Sequence, residues 1–291
     1  MNFNHVFNEI EKVDPEVYER LDTRRHAMKE FSGIAGKLTL AALPLAMASM
    51  FKKAYGQTTT GIYGVLNYAL RLEFLEDAFY KAALAANTGG SLDFPSAAAL
   101  GAIQTIGAHE TAHVNLLKGA ITAGGATPRT AENYDFTGSK NGTRAALFPG
   151  VFTNYPMFLA VSQALEDTGV RAYKGKAADP ALMANNDVLT IALQIHSVEA
   201  RHASHIRQMR RANGNLIPAG QTVKPWITLA QSGIDSPNAS ASYAGEDLTT
   251  QATINIVNIN GQTISASAAS EAFDEPLSEA DVLAIAGNFI Y

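Results

Sequence analysis

The feature that most constrains this chain is a pair of Glu-x-x-His motifs, each set among apolar residues at helical spacing. Glu110 and His113 form the first motif, and Glu199 and His202 form the second. Residues three apart on an α-helix share one face, so each pair faces the same way as its apolar neighbours. An isolated charge in an apolar core is very costly, so the two motifs call for a cationic partner inside the fold.

The same order of residues occurs twice along the chain. Glu73 precedes Tyr80 by seven positions and lies upstream of the first motif, and Glu166 precedes Tyr173 by seven positions and lies upstream of the second. Seven residues make about two helical turns, so each tyrosine shares a face with its glutamate and can donate a hydrogen bond to a carboxylate ligand. The repeat predicts a pseudo-twofold axis through a shared site.

Apolar residues that recur three and four positions apart predict four helices. The helices are expected at residues 58–87, 96–123, 151–176 and 181–213. The link at 124–149 has no periodicity and is much longer than an ordinary helix–helix connection of about 2–8 residues. We therefore expect an all-α fold, a four-helix bundle with one long crossover, over residues 57–213.

Such a bundle would gather a glutamate from each of two helices and a Glu-x-x-His pair from each of the others. This is the ligand set of di-iron and di-manganese carboxylate proteins, and it predicts two Fe or Mn ions per chain as cofactors. The predicted metal ligands are Glu73, Glu110, His113, Glu166, Glu199 and His202. In this interpretation Glu110 and Glu199 bridge the two ions, and Tyr80 and Tyr173 support the ligands.

Several neighbouring residues leave the assignment open. Glu76 lies one turn after Glu73 and could replace it as a ligand, although the repeat with Glu166 favours Glu73. Asp77 lies on the same stripe and could support a ligand through a hydrogen bond. His109 is more simply explained by packing or a surface position. His196 and His205 lie three positions from Glu199 and His202 and could support a ligand through a hydrogen bond, although packing or a surface position is the simpler explanation for both.

The composition removes several other classes of function. The chain has no cysteine, which excludes disulfides, thiolate metal sites, iron–sulfur clusters and a cysteine nucleophile. The formal net charge is -5, and the basic residues form no stripe interleaved with aromatic residues, so no nucleic-acid partner is expected. Metal ions are the expected partners, and assembly into a homo-oligomer is left open.

The first 50 residues predict an export signal. Arg24 and Arg25 lie in a Thr-Arg-Arg-x-x-Met-Lys run similar to a twin-arginine signal, and Ala46-Met47-Ala48 offers a cleavage site. The uncharged run at 38–51 is shorter than the roughly 20 residues of a membrane-spanning helix. Export would place the protein in the periplasm or outside the cell. The alternative is an amphipathic helix that is retained and packs on the body of the protein, which would then be cytoplasmic. Contact with a membrane is expected only through this N-terminal segment, if it is retained.

Residues 214–291 form a C-terminal extension of different composition. The Ser-, Ala- and Asn-rich segment at 232–252 is expected at the surface. Apolar alternation around Asn260-Gly261 predicts a β-hairpin over 253–265. Ser278 is expected to cap a short helix that packs on the bundle through three apolar residues: Leu283, Ile285 and Phe289.

Five segments of the chain carry a resemblance to a known family. They are residues 66–80, Ala-His-Glu-Thr-Ala-His-Val at 108–114, residues 164–173, Val-Glu-Ala-Arg-His-Ala at 198–203 and the tail at 272–286. These segments are similar to the ferritin-like family that includes desiccation-related proteins. The resemblance implies a di-metal bundle whose physiological role is mostly undefined, and it does not imply an iron-storage cage.

Two kinds of function follow as hypotheses. The first is a di-metal oxidoreductase, ferroxidase-like or catalase-like, that reacts with dioxygen, peroxide or Fe(II) in stress protection. The second is a non-catalytic structural or stress protein in which the metal stabilises the bundle, and the long loops and the 232–270 extension mediate contacts. A variant of this hypothesis is an assembly subunit whose N-terminal apolar segment docks on its neighbours.

Overall fold

The computed structural model describes residues 59–213 and 216–291. The predicted export signal lies outside these residues. The bundle consists of α1 (Thr59–Thr88), α2 (Ala97–Ala123), α3 (Tyr155–Lys176), α4 (Pro180–Met183) and α5 (Asn186–Asn213). The predicted helical bundle is therefore confirmed. Within the described residues, no helix is both long and apolar enough to cross a membrane.

Two helix boundaries differ from the predicted ones by more than one residue, and asparagine side chains explain both. The third helix starts four residues later than the predicted 151 because the Asn154 side chain accepts a hydrogen bond from the backbone N of Met157, at 3.0 Å. The predicted fourth helix is divided into α4 and α5. Between them, the Asn185 side chain accepts a hydrogen bond from the backbone N of Val188, at 3.2 Å, and starts the long helix anew.

The helices pack as two pairs, α1 with α2 and α3 with α5, joined by the crossover at 124–154. Tyr63 near the start of α1 donates a hydrogen bond to the carbonyl of Gly124, at 2.5 Å, so α2 ends beside the start of α1. Phe158 near the start of α3 stacks on Phe79 in the second half of α1, with ring centroids 5.4 Å apart. The crossover therefore runs the length of the bundle, as the long aperiodic link predicted.

Aromatic rings fill the end of the bundle where α3 begins. The Phe79 ring lies at the centre, with centroids 5.2 Å from Phe136, 5.5 Å from Phe152 and 5.4 Å from Phe158. These separations are typical of stabilising aromatic pairs. Phe289 from the C-terminal tail also contacts Phe136, at 6.0 Å. This cluster holds the crossover and the tail against α1 and α3.

The C-terminal helix docks on the bundle as the sequence predicted. After the short α6 (Ala266–Ser270), α7 (Glu279–Ala286) begins at Ser278, whose hydroxyl oxygen accepts a hydrogen bond from the backbone N of Asp281, at 3.2 Å. Ile285 is buried in the same core as the aromatic cluster, and Leu283 packs against it. Beyond α7, the tail pairs with the crossover through an antiparallel bridge between residues 134 and 290.

The expectation that residues 232–252 lie on the surface is wrong for the central part of that segment. Residues Pro237–Tyr243 form a 3-10 helix whose Tyr243 is fully buried against α3. The buried Glu246 carboxylate pairs with Arg171 of α3, with Nε and Oε1 2.7 Å apart. The polar composition that suggested exposure instead supplies partners for buried arginines on the bundle.

The extension does contain a small two-stranded sheet, but its turn is not at the predicted position. Strands β1 (Thr250–Gln251) and β2 (Ile254–Asn255) are antiparallel and are joined by Ala252 and Thr253, both with positive φ. Asn260-Gly261 lies outside the sheet in the 3-10 turn Ile259–Gly261. Asn258 and Asn260 both adopt left-handed conformations, which asparagine tolerates and which end an extended strand.

Candidate metal centre

Six buried side chains from the four long helices meet in the middle of the bundle. They form two overlapping groups in which one donor atom of each residue lies within 4.8 Å of the others. The first group is Glu73, Glu110, His113 and Glu199, and the second is Glu110, Glu166, Glu199 and His202. The groups contain all six predicted ligands, and Glu110 and Glu199 belong to both. The four glutamates are fully buried.

Each histidine faces three carboxylates. His113 Nδ1 lies 3.1 Å from Glu73 Oε2, from Glu110 Oε2 and from Glu199 Oε1. His202 Nδ1 lies 2.9 Å from Glu110 Oε1, 3.3 Å from Glu166 Oε2 and 3.8 Å from Glu199 Oε2. Exchanging the two halves of the chain maps one set of contacts onto the other, as expected for the pseudo-twofold axis that the repeat predicts.

Many of these donor atoms approach one another without forming hydrogen bonds. Both Glu199 oxygens, Glu110 Oε1, Glu166 Oε2 and His202 Nδ1 are buried and have no hydrogen-bond partner among the described residues. Buried polar atoms are almost always paired, so such a concentration requires an explanation. Oxygen and imidazole donors aimed at common points can hold iron, manganese or zinc ions, and the cluster is compatible with binding two of them.

The crowding of carboxylates shifts the protonation of the cluster. Burial raises the pKa of Glu166 to about 7 although His202 opposes the shift, and burial together with Glu199 raises the pKa of Glu110. Burial alone would lower the pKa of His202, but Glu166 and the other carboxylates raise it to about 12. The protons that neutralise the cluster are thus held tightly, and a bound cation would replace them.

The two repeat tyrosines bind carboxylates across the bundle. Tyr173 of α3 donates a hydrogen bond to Glu73 Oε1 of α1, at 2.5 Å, and Tyr80 of α1 donates to Glu166 Oε1 of α3. Tyr80 also contacts the Ser162 hydroxyl, at 2.7 Å. Each tyrosine therefore donates its hydrogen bond to the glutamate of the other half of the chain. The spacing within one helix does not reveal this exchange of partners. Each bond fixes one carboxylate oxygen and leaves the other turned towards the cluster.

Glu73 and its alternative as a candidate ligand, Glu76, occupy different positions relative to the cluster. Glu73 belongs to a donor group, whereas Glu76 is buried beside the cluster and belongs to neither. In the repeat, Glu76 corresponds to Gly169, and a Cβ added at Gly169 would lie 3.2 Å from Glu76 Oε1. The missing side chain on α3 makes room for the extra carboxylate of α1. Burial, then the neighbouring glutamates, raises the pKa of Glu76 well above its ordinary value.

His109 has a role that the sequence interpretation missed. Its side chain is exposed, yet its Nδ1 lies 3.0 Å from His202 Nε2, and the two rings stack with centroids 5.2 Å apart. His109 thus fixes the ring of His202 so that Nδ1 faces the carboxylates. The partner lies on another helix, so only a packing model of α2 against α5 could have revealed it.

Asp77, by contrast, does not support a ligand. Its carboxylate accepts hydrogen bonds from Thr111, at 2.5 Å, and from Lys81, at 2.7 Å, and so braces α1 against α2. His205 is exposed and His196 is half-buried. The Nε2 atom of His196 is buried and has no hydrogen-bond partner among the described residues.

Fold and site together define a class of protein: a four-helix bundle with one long crossover and a buried carboxylate–histidine cluster. The family model for the ferritin-like domain matches residues 62–212, which is more than half of the 291 residues. The protein belongs to this family. A search of curated proteins and a search of solved structures found no match.

The pKa shifts predict how pH changes the stability of the metal-free protein. The carboxyl pKa values of Glu76, Glu110 and Glu166 are raised on folding, so the folded state binds more protons than the unfolded state above about pH 5, and its stability falls as the pH rises. The raised pKa of His202 has the same sign above about pH 6.5. The pKa of Glu199 is lowered to about 2, so its contribution to the stability of the folded state is lost only as the pH falls below about 4.5.

We therefore expect the melting temperature of chelator-treated protein to decrease from about pH 5 to about pH 8. Added metal should remove this decrease because cations displace the bound protons. Thermal unfolding with and without metal measures both effects. A metal-free protein that becomes more stable over this range would contradict the electrostatics described above.

The contact between His109 and His202 predicts a selective effect on metal affinity. His109→Ala leaves all six cluster residues in place but frees the His202 ring, and we expect metal binding to weaken by roughly 10- to 100-fold. His205→Ala is the matched control because it removes an exposed histidine from α5. Competition titrations with a chromogenic chelator compare the two variants. Equal affinities in both would show that His109 does not position the ligand.

Proposed function

We propose that the protein binds two iron or manganese ions in this cluster and uses them in redox reactions with dioxygen, peroxide or Fe(II), in protection against stress. The observation that carries the proposal is the pair of overlapping donor groups that share Glu110 and Glu199. Two donor groups with two shared carboxylates suit two neighbouring ions bridged by those carboxylates. When bound, such ions supply electron transfer to a small oxidant.

The residues divide naturally between the two ions. Glu73 and His113 would hold one ion, Glu166 and His202 would hold the other, and the shared glutamates would bridge. Four carboxylates balance the charge of two divalent cations when both imidazoles are neutral. This balance removes the repulsion that metal-free carboxylates must relieve by retaining protons.

The tyrosines support the proposal by fixing the outer carboxylates. Tyr80 engages Glu166 Oε1, and the other oxygen, Oε2, has no hydrogen-bond partner among the described residues and lies 3.3 Å from His202 Nδ1. Tyr173 engages Glu73 Oε1, while Glu73 Oε2 lies 3.1 Å from His113 Nδ1. Such outer hydrogen bonds orient ligands before a metal arrives and tune its affinity.

Each donor group offers three carboxylates and one imidazole. Iron and manganese commonly accept about six donor atoms, so monodentate binding would leave positions for a small molecule. An open position is what distinguishes a reactive metal site from a purely structural one. This consideration favours the redox protein over the non-catalytic, metal-stabilised alternative.

Export is a further part of the proposal. The twin-arginine run at Arg24 and Arg25, followed by the short apolar segment, supports transport in a folded state to the periplasm or beyond. A folded-state route would allow metal to be loaded before transport.

The proposal is tested by metal content and reactivity measured on the same sample. Purified full-length protein is expected to bind about two ions per chain and, when loaded with Fe(II), to consume dioxygen or peroxide. Glu199→Gln should lose metal and activity because it alters a shared carboxylate. Glu132→Gln is the control, since Glu132 is a partly exposed carboxylate of the crossover.

The outcomes separate the candidate functions. Protein with two bound ions and no reaction with either oxidant would favour the metal-stabilised structural role. Protein that binds no iron, manganese or zinc would contradict the metal centre itself.

A further inference from the structure

An apolar cavity lies between the helices at the end of the bundle where α1 begins and α2 ends. Its volume is about 30 Å³. A single water-sized molecule needs about 10–15 Å³, so the cavity has room for a diatomic molecule. Its wall surface is formed entirely by carbon atoms, and even Lys176 and Tyr173 contribute no polar atom to it.

The cavity lies directly beside the metal centre along the bundle axis. Three of its lining residues are one helical turn from cluster residues: Ala69 precedes Glu73, Leu117 follows His113, and Ile195 precedes Glu199, each by four positions. One turn advances about 5.4 Å along a helix. Tyr173 connects the two features, because it lines the cavity and its hydroxyl donates a hydrogen bond to Glu73.

The pseudo-symmetric position at the other end of the bundle is filled. Tyr80, the counterpart of Tyr173, has the Phe79 ring 5.4 Å away and the Phe158 ring 6.5 Å away, within the aromatic cluster. The repeat would allow space beside both tyrosines, but packing closes one side. The cavity is thus a one-sided feature of a nearly symmetric site.

The chemistry of the walls selects among the small molecules that such a centre could meet. A hydrated Fe(II) ion would have to lose its water in a space without polar atoms, at a very high cost. Hydrogen peroxide would leave its hydroxyl groups without hydrogen bonds. Dioxygen is apolar and incurs neither cost. Enclosed apolar cavities in proteins can stay free of water and take up apolar gases such as xenon, and the walls of this one offer the same apolar surface.

We propose that this cavity is a dioxygen-binding site that feeds the metal centre from the Tyr173 side. The inference rests on the proposed function and deepens it, because it names dioxygen as the oxidant for which the protein is built. Peroxide and Fe(II), if they react, reach the cluster by a route that avoids this cavity.

Xenon is a direct probe because its binding requires neither metal nor turnover. Xenon NMR of the full-length protein should detect one saturable site. Ala192→Phe should lose it, because Ala192 lines the cavity and lies seven positions, about two turns, before Glu199. Ala212→Phe should keep the xenon site, because this substitution places the same ring at an exposed position of the same helix, away from the cavity lining. No saturable site in the unaltered protein would overturn the proposal, whether or not the variants fold.

A second measurement links the cavity to the reaction. With iron loaded to the same content, Ala192→Phe should slow dioxygen consumption relative to Ala212→Phe and leave peroxide consumption unchanged. Equal dioxygen rates in both variants, or an equal loss with both oxidants, would overturn the proposal. Absence of bound metal would instead overturn the proposed function, and the xenon result would still decide whether the cavity accepts an apolar gas.

Discussion

The burial of like charges at one point is the constraint on which the rest of this structure depends. Four fully buried glutamates converge with two histidines in the middle of the bundle, and the buried Glu76 lies beside them. Without cations, their repulsion and desolvation must be relieved by protons, which is why burial and neighbouring carboxylates raise the pKa of Glu110 and Glu166. Burying these carboxylates therefore lowers the free energy of unfolding of the metal-free protein. Bound cations can restore it, which links occupancy of the site to the stability of the bundle.

The surrounding structure maintains this arrangement and also makes it unsymmetrical. The crossed tyrosine bonds join α1 to α3, so the two helix pairs are held together at the cluster itself. The extension adds a second attachment, since Arg171 pairs with Glu246 and bonds the carbonyl of Ser242. Three departures from symmetry distinguish the halves within the described residues: Glu76 corresponds to Gly169, His109 contacts His202, and the apolar cavity lies on the Tyr173 side. The two histidines of the cluster therefore have unequal surroundings.

The sequence predicts much of the site because the relevant information lies within single helices. Spacing alone places Glu73 and Tyr80 on one face, and the repeat extends the set across the bundle. Spacing cannot supply the partner on another helix, so the sequence does not reveal the contact between His109 and His202. The extension was less predictable for a similar reason. Glu246 is polar in sequence yet buried by its pairing with an arginine, and left-handed backbone at Asn260 replaced the expected hairpin turn.

Binding of two metal ions by the buried cluster is tested most directly by anomalous X-ray diffraction from crystals of full-length protein grown with Fe(II) or Mn(II). We expect two anomalous peaks inside the bundle. One lies among Glu73, Glu110, His113 and Glu199, and the other lies among Glu110, Glu166, Glu199 and His202. A cluster without peaks at saturating metal, or with peaks bound only to surface carboxylates, would contradict it.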